Sequence, residues 1–250
     1  MNANPASVAA IPDWLPVGSP PPPDTAGAPR LETLRDYLNF YESQGLELML
    51  LARSRPWMSL QTRKLAAKLP VSLLHYFCPR LSSYPRLRRR IDKFARTNLG
   101  VRTGKRFNLV MIDFDDLDSG RDLVREFRLP ATLATRTGGG GFHLFYRIPE
   151  SCPCIESTHD CVARGVDVRG DYAYCTVPPS VHGAGRKYEF VNPGQPIAVL
   201  PDAAVARFRA CGVSRYWHVR KQVRNFRYLY VRMLRDFIRA VVLRKPPVET

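Results

Sequence analysis

The segment Phe107–Phe114, FNLVMIDF, constrains the fold most, because it combines an apolar β-strand pattern with acidic residues at its end. In a strand, Ile112 and Phe114 project to one face and into a core, whereas Asp113 and Asp115 project to the other face. The two carboxylates would then lie about 6.5–7 Å apart along the chain. Such a pair can bind two divalent ions, which are usually ~3.5–4 Å apart in two-metal phosphoryl-transfer sites.

The alternative for this acidic pair is a solvated strand end. The polar residues that follow would then continue as a loop: Asp116, Asp118, Ser119 and Gly120. Without a metal, however, neighbouring carboxylates on one face repel each other, so their clustering calls for a cation. A short helix is predicted over Asp122–Phe127, with Pro130 marking its end.

A glycine-rich segment, TRTGGGG (residues 135–141), precedes the strand that carries His143. The backbone N–H groups of glycines such as Gly140 and Gly141 can approach phosphate oxygens closely, and Arg136 could pair with the same phosphate. The alternatives are a flexible hairpin loop and a structural histidine.

A third acidic position follows in the segment Val166–Arg169, VDVR. In a strand, Asp167 projects away from the two flanking valines and shares its face with Arg169. A carboxylate between buried valines needs a cation, which is either Arg169 or a metal. The downstream segment PPSVH then forms a rigid loop that offers the hydroxyl of Ser180 and the imidazole of His182.

The remaining patterns predict an α+β domain around a mixed sheet. Helical spacing begins at Leu31 and ends near Gly45, and Leu46–Leu51 is typical of a buried strand. Further candidate strands are Phe142–Ile148, Tyr172–Val177 and Lys187–Val191. Residues 1–29 hold eight prolines and predict a flexible leader, 30–210 form the main domain, and 211–250 form a tail.

The charge predicts a polyanionic partner, because the chain carries a formal net charge of +16. Two blocks are strongly basic. Residues 53–97 hold twelve Lys or Arg against one acid, and residues 215–245 hold ten against one. In the second block, Val223, Phe226, Tyr230, Met233, Leu234 and Phe237 recur at helical spacing. This spacing predicts a basic amphipathic helix that either docks on the core or contacts DNA.

Six cysteines without a secretory signal favour a reducing compartment, and a cytoplasmic location is expected. No segment approaches the ~20 apolar residues of a membrane span. Four residues have a spacing that could close a tetrahedral zinc site: Cys152, Cys154, His159 and Cys161. The alternative is three loop thiols beside an exposed histidine.

Taken in order, these segments resemble the bifunctional primase–polymerase (Prim-Pol) domain of the archaeo-eukaryotic primase superfamily. The resemblance covers roughly residues 98–190. It rests on six motifs in register: NLGVRTG (98–104), VMIDFD (110–115), TRTGGGGFHLFYR (135–147), GVDVRGDYAY (165–174), PPSVH (178–182) and RKYEF (186–190). One departure is Gly141, where the superfamily often has serine two residues before the histidine.

The resemblance implies a template-directed nucleotidyltransferase with an RRM-like catalytic sheet. Asp113, Asp115 and Asp167 match the carboxylates that bind two Mg²⁺ or Mn²⁺ ions, and His143 matches the histidine that contacts the incoming nucleotide. The implied phosphate-binding positions are Arg136, Gly140, Gly141, Arg169, Ser180 and His182. Some members of the family carry a zinc-bound element.

The partners that the resemblance implies are a single-stranded DNA template and nucleoside triphosphates, with no membrane. The sequence contains no P-loop, so a helicase would come from a separate protein. Such a compact primase fits the replication of a plasmid, virus or other mobile element. Two alternatives stay open: a metal-dependent nuclease, and a non-catalytic DNA-binding replication protein that keeps only the fold.

Overall fold

A six-stranded mixed sheet and a three-stranded antiparallel sheet form the centre of the computed structural model. The structure describes residues 10–18, 29–55, 58–71, 82–89, 97–212 and 215–242. The described helices are α1 (Leu34–Ser43), α2 (Leu60–Ala66), α3 (Tyr84–Arg89), α4 (Leu117–Glu126), α5 (Asp202–Ala210) and α6 (Arg215–Phe237). The described strands are β1 (Leu48–Leu51), β2 (Asn98–Arg102), β3 (Val110–Phe114), β4 (Ala134–Arg136), β5 (Phe142–Arg147), β6 (Val166–Arg169), β7 (Tyr174–Val177), β8 (Glu189–Phe190) and β9 (Ala198–Val199).

The larger sheet has the order β6-β3-β5-β4-β8, and β9 adds a parallel pairing to β5. The other ladders of this sheet are antiparallel. The smaller sheet has the order β1-β2-β7 and is antiparallel throughout. The predicted α+β class with a mixed sheet is therefore confirmed.

Strand β3 separates two cores by the strict alternation of its side chains. Val110, Ile112 and Phe114 lie in a core that α4 and α5 cover. Met111 faces the other way, into a second core between the two sheets and α1. Asp113 shares the Met111 face, so the carboxylate lies where this second core ends.

Helix α1 shows how local sequence fixes the second core. Thr33 accepts a hydrogen bond from the Asp36 backbone N–H, and the Asp36 carboxylate accepts one from the Thr33 backbone N–H. This capping box begins the helix, and Gly45 at φ +62° follows its end, as predicted. The buried side chains Leu38, Phe40 and Tyr41 then pack toward β1 and β2.

Helix α4 corrects the sequence prediction at the acidic segment. The polar residues after Asp115 were expected to form a loop, with the helix beginning at Asp122. Instead, Asp116 is the N-cap and accepts a hydrogen bond from the Ser119 backbone N–H at 3.0 Å. Gly120 lies buried against the Phe114 ring, so the helix begins almost directly after β3. The structure also contains β9 and α5, which the sequence patterns did not predict.

The N-terminal segment 10–18 packs on the main domain. Leu15 is only 4% exposed, and the Trp14 ring meets the Phe114 ring edge-on with centroids 6.1 Å apart. The Asn192 side-chain amide donates to the Val17 carbonyl at 2.6 Å. The prediction of a flexible leader over residues 1–29 is therefore wrong for residues 10–18, while residues 1–9 and 19–28 lie outside the described residues.

Helix α6 packs on α2 through a face that differs from the predicted one. Leu229 is buried against Met58, Ala66 and Leu69, and Asp236 is 3% exposed. Four residues of the predicted apolar face are exposed instead: Val223, Tyr230, Leu234 and Phe237. Of the described helices, α6 included, none is long and apolar enough to cross a bilayer.

The docking of the N-terminal segment can be tested with Leu15→Ala. Because Leu15 belongs to the core around β3, the substitution should lower the free energy of unfolding by about 2–5 kcal/mol in urea denaturation. Ile11 in the same segment is 43% exposed, so Ile11→Ala should change stability by less than about 0.5 kcal/mol. Equal, small effects of both substitutions would contradict the docking.

Candidate active site

The central strands place three of the predicted site residues side by side. In the antiparallel register, Asp113 on β3 is directly opposite Asp167 on β6 and also directly opposite His143 on β5. His143 is in turn opposite Thr135 on β4. Directly opposed residues project to the same face, so this row forms one surface.

The Asp113 carboxylate is nearly buried and is held from two sides. His143 Nε2 lies 3.2 Å from Asp113 Oδ1, and the Arg169 guanidinium donates to Asp113 Oδ2 at 3.2 Å. Burial alone would raise the pKa of Asp113, but His143 and Arg169 outweigh it and hold the pKa well below its usual range. Asp113 is therefore ionised at neutral pH.

Asp167 shares the same guanidinium. Arg169 Nη2 donates to Asp167 Oδ2 at 2.7 Å, and His159 Nδ1 lies 2.8 Å from Asp167 Oδ1. Burial would lower the pKa of Arg169, but the charges of Asp113 and Asp167 raise it. A single cationic nitrogen thus bridges the carboxylates of β3 and β6.

Asp115 lies at the exposed rim of this row, where its backbone N–H donates to the Gly165 carbonyl at 2.8 Å. Loss of hydration and the charge of Asp113 raise the pKa of Asp115. Mutual repulsion of this kind is relieved when a cation binds between carboxylates.

The two buried carboxylates fit a divalent cation. They already share one cationic nitrogen, and carboxylate oxygens are the ligands that Mg²⁺ and Mn²⁺ prefer. Within the described residues, no three Asp, Glu, His or Cys side chains form a ready-made metal cluster. Oxygens of Asp167 are instead in contact with Arg169 and His159.

A cavity of about 200 Å³ opens above Asp113, His143 and Arg169. Its lining includes cationic, hydroxyl-bearing and aromatic side chains. The other lining residues are Leu65, Lys68, Leu69, Thr158, His159, Tyr172, Ala173, Tyr174, Cys175, Thr176, Tyr188, Lys221 and Asn225. Pockets that enclose a whole small molecule usually measure roughly 300–1,000 Å³, so the smaller cavity suits a phosphate-sized group.

A family model for the N-terminal domain of bifunctional DNA primase/polymerase (Prim-Pol) matches residues 63–203. The chain belongs to the Prim-Pol family. The matched range contains the whole Asp167–Asp113–His143 row and confirms the resemblance predicted from the sequence motifs. A search of curated proteins found no match to the chain.

The Prim-Pol glycine segment forms a tight β4–β5 hairpin. The Gly140 N–H donates to the Thr137 carbonyl and the Gly141 N–H to the Thr137 hydroxyl, at 3.1 and 3.0 Å. These two amides are therefore not presented to a phosphate, in contrast to the prediction. A side chain at Gly141 would collide with the Phe114 carbonyl, so this backbone does not accommodate the serine frequent in the superfamily.

Other predicted nucleotide-binding residues carry polar atoms without protein partners. Among the described residues, His143 Nδ1 and Arg136 Nε are buried and have no hydrogen-bond partner. Thr135, next to His143 in the register, has an unpartnered buried hydroxyl as well. Buried polar atoms are usually satisfied, so these three atoms are candidates to contact a ligand.

His182 lies in a cationic environment close to the glycine hairpin. Its Nδ1 accepts a hydrogen bond from the Ala184 N–H at 3.2 Å. Burial and the charges of Lys68, Lys64 and Arg186 lower the pKa of His182 to about 4. Three cations around a neutral imidazole form a surface suited to an anion.

Ser180 has a structural role that differs from the prediction. Its hydroxyl accepts from the Leu99 N–H at 2.8 Å and donates to the Leu99 carbonyl at 3.0 Å. The side chain is 2% exposed. Because both hydrogen bonds go to β2, Ser180 fixes the PPSVH loop to that strand.

The predicted zinc ligands do not converge. Cys152 is buried in the β3 core and donates to the Cys154 carbonyl, whereas Cys161 is exposed. His159 turns to Asp167 instead of the thiols. The four side chains therefore form no cluster among the described residues, and His159, whose role the sequence did not predict, contacts the carboxylate row.

The lowered pKa of His182 can be tested by its effect on how the free energy of unfolding depends on pH. Its pKa lies below the ordinary value of 6.5, so the unfolded chain takes up the proton first as the pH falls. The free energy of unfolding should therefore decrease between about pH 6.5 and pH 4. The variant His182→Asn keeps an acceptor for the Ala184 N–H. Urea denaturation at pH 7.5 and 5.0 should show a smaller decrease in its free energy of unfolding than in that of the wild type. An identical decrease in both proteins would contradict the lowered pKa.

Proposed function

We propose that this Prim-Pol chain is a DNA-dependent nucleotidyltransferase, a primase, a DNA polymerase or both, that acts on single-stranded templates. The observation that carries the proposal is the row of Asp167, Asp113 and His143 on three adjacent strands, of which Asp113 and His143 line a phosphate-sized cavity. In this proposal the larger sheet is the RRM-like catalytic sheet expected of the superfamily.

Asp113 and Asp167 would hold Mg²⁺ or Mn²⁺, with Asp115 as the third ligand at the rim. Two such ions, when bound, activate the attacking 3′-hydroxyl and stabilise the leaving pyrophosphate. The ionised state of Asp113 supports this role, because a metal-binding carboxylate must be deprotonated. Arg169 would leave the carboxylates when a metal binds and become available to a phosphate.

The incoming nucleotide would contact residues on both sides of the glycine hairpin. His143, on the face of the carboxylate row, and Arg136, on the neighbouring strand β4, each have a buried nitrogen without a protein partner. His182 and its surrounding cations add positive potential at the same end of the sheet. Placing the triphosphate beside fixed donors of this kind is the main catalytic contribution of a protein in phosphoryl transfer.

The template would bind through phosphate contacts to the basic parts of the chain. Helix α6 contains seven Lys or Arg against one acid, and Arg220, Arg224 and Arg227 are exposed. Tyr230 on the same helix is 73% exposed. A stacked base on such a tyrosine would add about 1–3 kcal/mol.

The polymerase activity can be tested with Asp113→Asn. Incorporation of labelled nucleotides on single-stranded DNA, primed and unprimed, should require Mg²⁺ or Mn²⁺. The substitution removes the charge that binds the ion, so the rate should fall by at least about 10²-fold. The unprimed reaction reports primase activity.

Asp118→Asn is the matched control, because Asp118 is a solvent-exposed acid on α4 that pairs with Arg121. It should incorporate nucleotides at the wild-type rate. Shortening of an end-labelled template would instead indicate a nuclease. Tight DNA binding with no product would indicate a binding protein without catalytic activity.

DNA binding should depend steeply on salt. The logarithm of the association constant for single-stranded DNA should fall with the logarithm of salt concentration, by about 0.7 per phosphate neutralised. The double variant Arg220→Ala/Arg224→Ala should show a shallower slope, by about 0.7 for each phosphate that it no longer neutralises. An unchanged slope in fluorescence anisotropy titrations would exclude this face of α6 from the DNA site.

A further inference from the structure

Helix α6 lies outside the residues that match the Prim-Pol family model, yet it forms one wall of the active-site cavity. Lys221 and Asn225, one turn apart on α6, line the cavity together with Asp113, His143 and Arg169. Lys221 is close enough to the carboxylate row for the charges of Arg169 and Asp167 to act on it. The cavity is therefore completed by a helix that the family motifs do not include.

A second lysine reaches the same cavity from α2. Lys68 follows the end of α2, where its backbone carbonyl accepts a hydrogen bond from the Tyr174 hydroxyl at 2.9 Å. Its charge lowers the pKa of Asp113 and opposes protonation of His182, so it lies between these two parts of the site. Lys68 and Lys221 thus bring two positive charges to a cavity of phosphate-group size.

The two lysine-bearing helices are fixed to each other by a small buried contact. Asp236 on α6 accepts a hydrogen bond from the Ser59 N–H at the start of α2, at 2.9 Å. Burial would raise the pKa of Asp236, but hydrogen bonds from Thr62, Ser59 and Arg235 lower it to about 2. Leu229 packs on α2 in the same contact.

We propose that Lys221 on α6, with Lys68 just after the end of α2, forms a phosphate-binding wall of the active-site cavity. This inference rests on the proposed nucleotidyltransferase function and deepens it. The phosphate is either the triphosphate of the incoming nucleotide or a phosphodiester of the primer strand. Lysine suits both, because its ammonium group binds phosphate as a point charge.

Binding measurements on the full chain test this wall. One arm measures the affinity for a fluorescent deoxynucleoside triphosphate without DNA, and the other measures the affinity for a labelled primed template without nucleotide. Lys221→Ala should weaken binding in at least one arm by about tenfold, the effect of losing one charged hydrogen bond. Lys221→Arg should retain most of the affinity, because it keeps the charge.

The control variant removes one positive charge from a surface away from the cavity. Arg209 is exposed on α5, which covers the opposite face of the sheet, and Arg209→Ala should leave both affinities unchanged. A loss confined to the triphosphate arm identifies the nucleotide as the phosphate source, and a loss confined to the template arm identifies the primer. No loss in either arm, or an equal loss with Arg209→Ala, would overturn the proposal.

The positioning role of α6 is tested with Leu229→Ala. Loosening the packing against α2 should weaken binding in the same arm as Lys221→Ala. The double variant should lose little more than Lys221→Ala alone, because the two changes remove one interaction. Fully additive losses would show that α6 does not position Lys221.

These measurements separate the inference from the proposed function. Wild-type protein that binds the triphosphate but incorporates no nucleotide would refute the proposed function without contradicting the phosphate-binding wall. Wild-type protein that incorporates nucleotides while Lys221→Ala binds both probes normally would refute the wall alone.

Discussion

The register between β6, β3 and β5 is the constraint on which the site depends. Because side chains alternate in a strand, a slip of one residue in β3 would turn Asp113 into the core that α4 and α5 cover and move Ile112 and Phe114 out of it. Burying those apolar side chains therefore also fixes the carboxylate on the opposite face. The same packing that stabilises the sheet sets Asp113 between Asp167 and His143.

The register alone would bring two like charges together, and the structure resolves this with Arg169. Arg169 Nη2 contacts both Asp113 Oδ2 and Asp167 Oδ2, while His143 contacts Asp113 Oδ1. Removing one partner of such a buried group leaves an uncompensated charge, which is strongly destabilising. Arg169 and His143 thus hold the row in place by contacts that a divalent ion would have to replace.

Sequence patterns predicted the parts of this fold that depend on local spacing. The strand β3, the helix α1 and the shared face of Asp167 and Arg169 were predicted from alternation, helical spacing and a glycine. Spacing did not predict the contacts made between separate segments. Leu99 takes both hydrogen bonds of Ser180, and Asp167 binds His159. No spacing rule contains those partners.

Contacts with other segments also decide which face of helix α6 is buried. Its apolar periodicity predicted a face through Tyr230 and Leu234, but the buried carboxylate of Asp236 and the single core residue Leu229 select another face. Neither of the two sheet cores includes a described residue of α6. The buried apolar contacts that stabilise the sheets are therefore separate from those that hold α6, and with it Lys221, against α2.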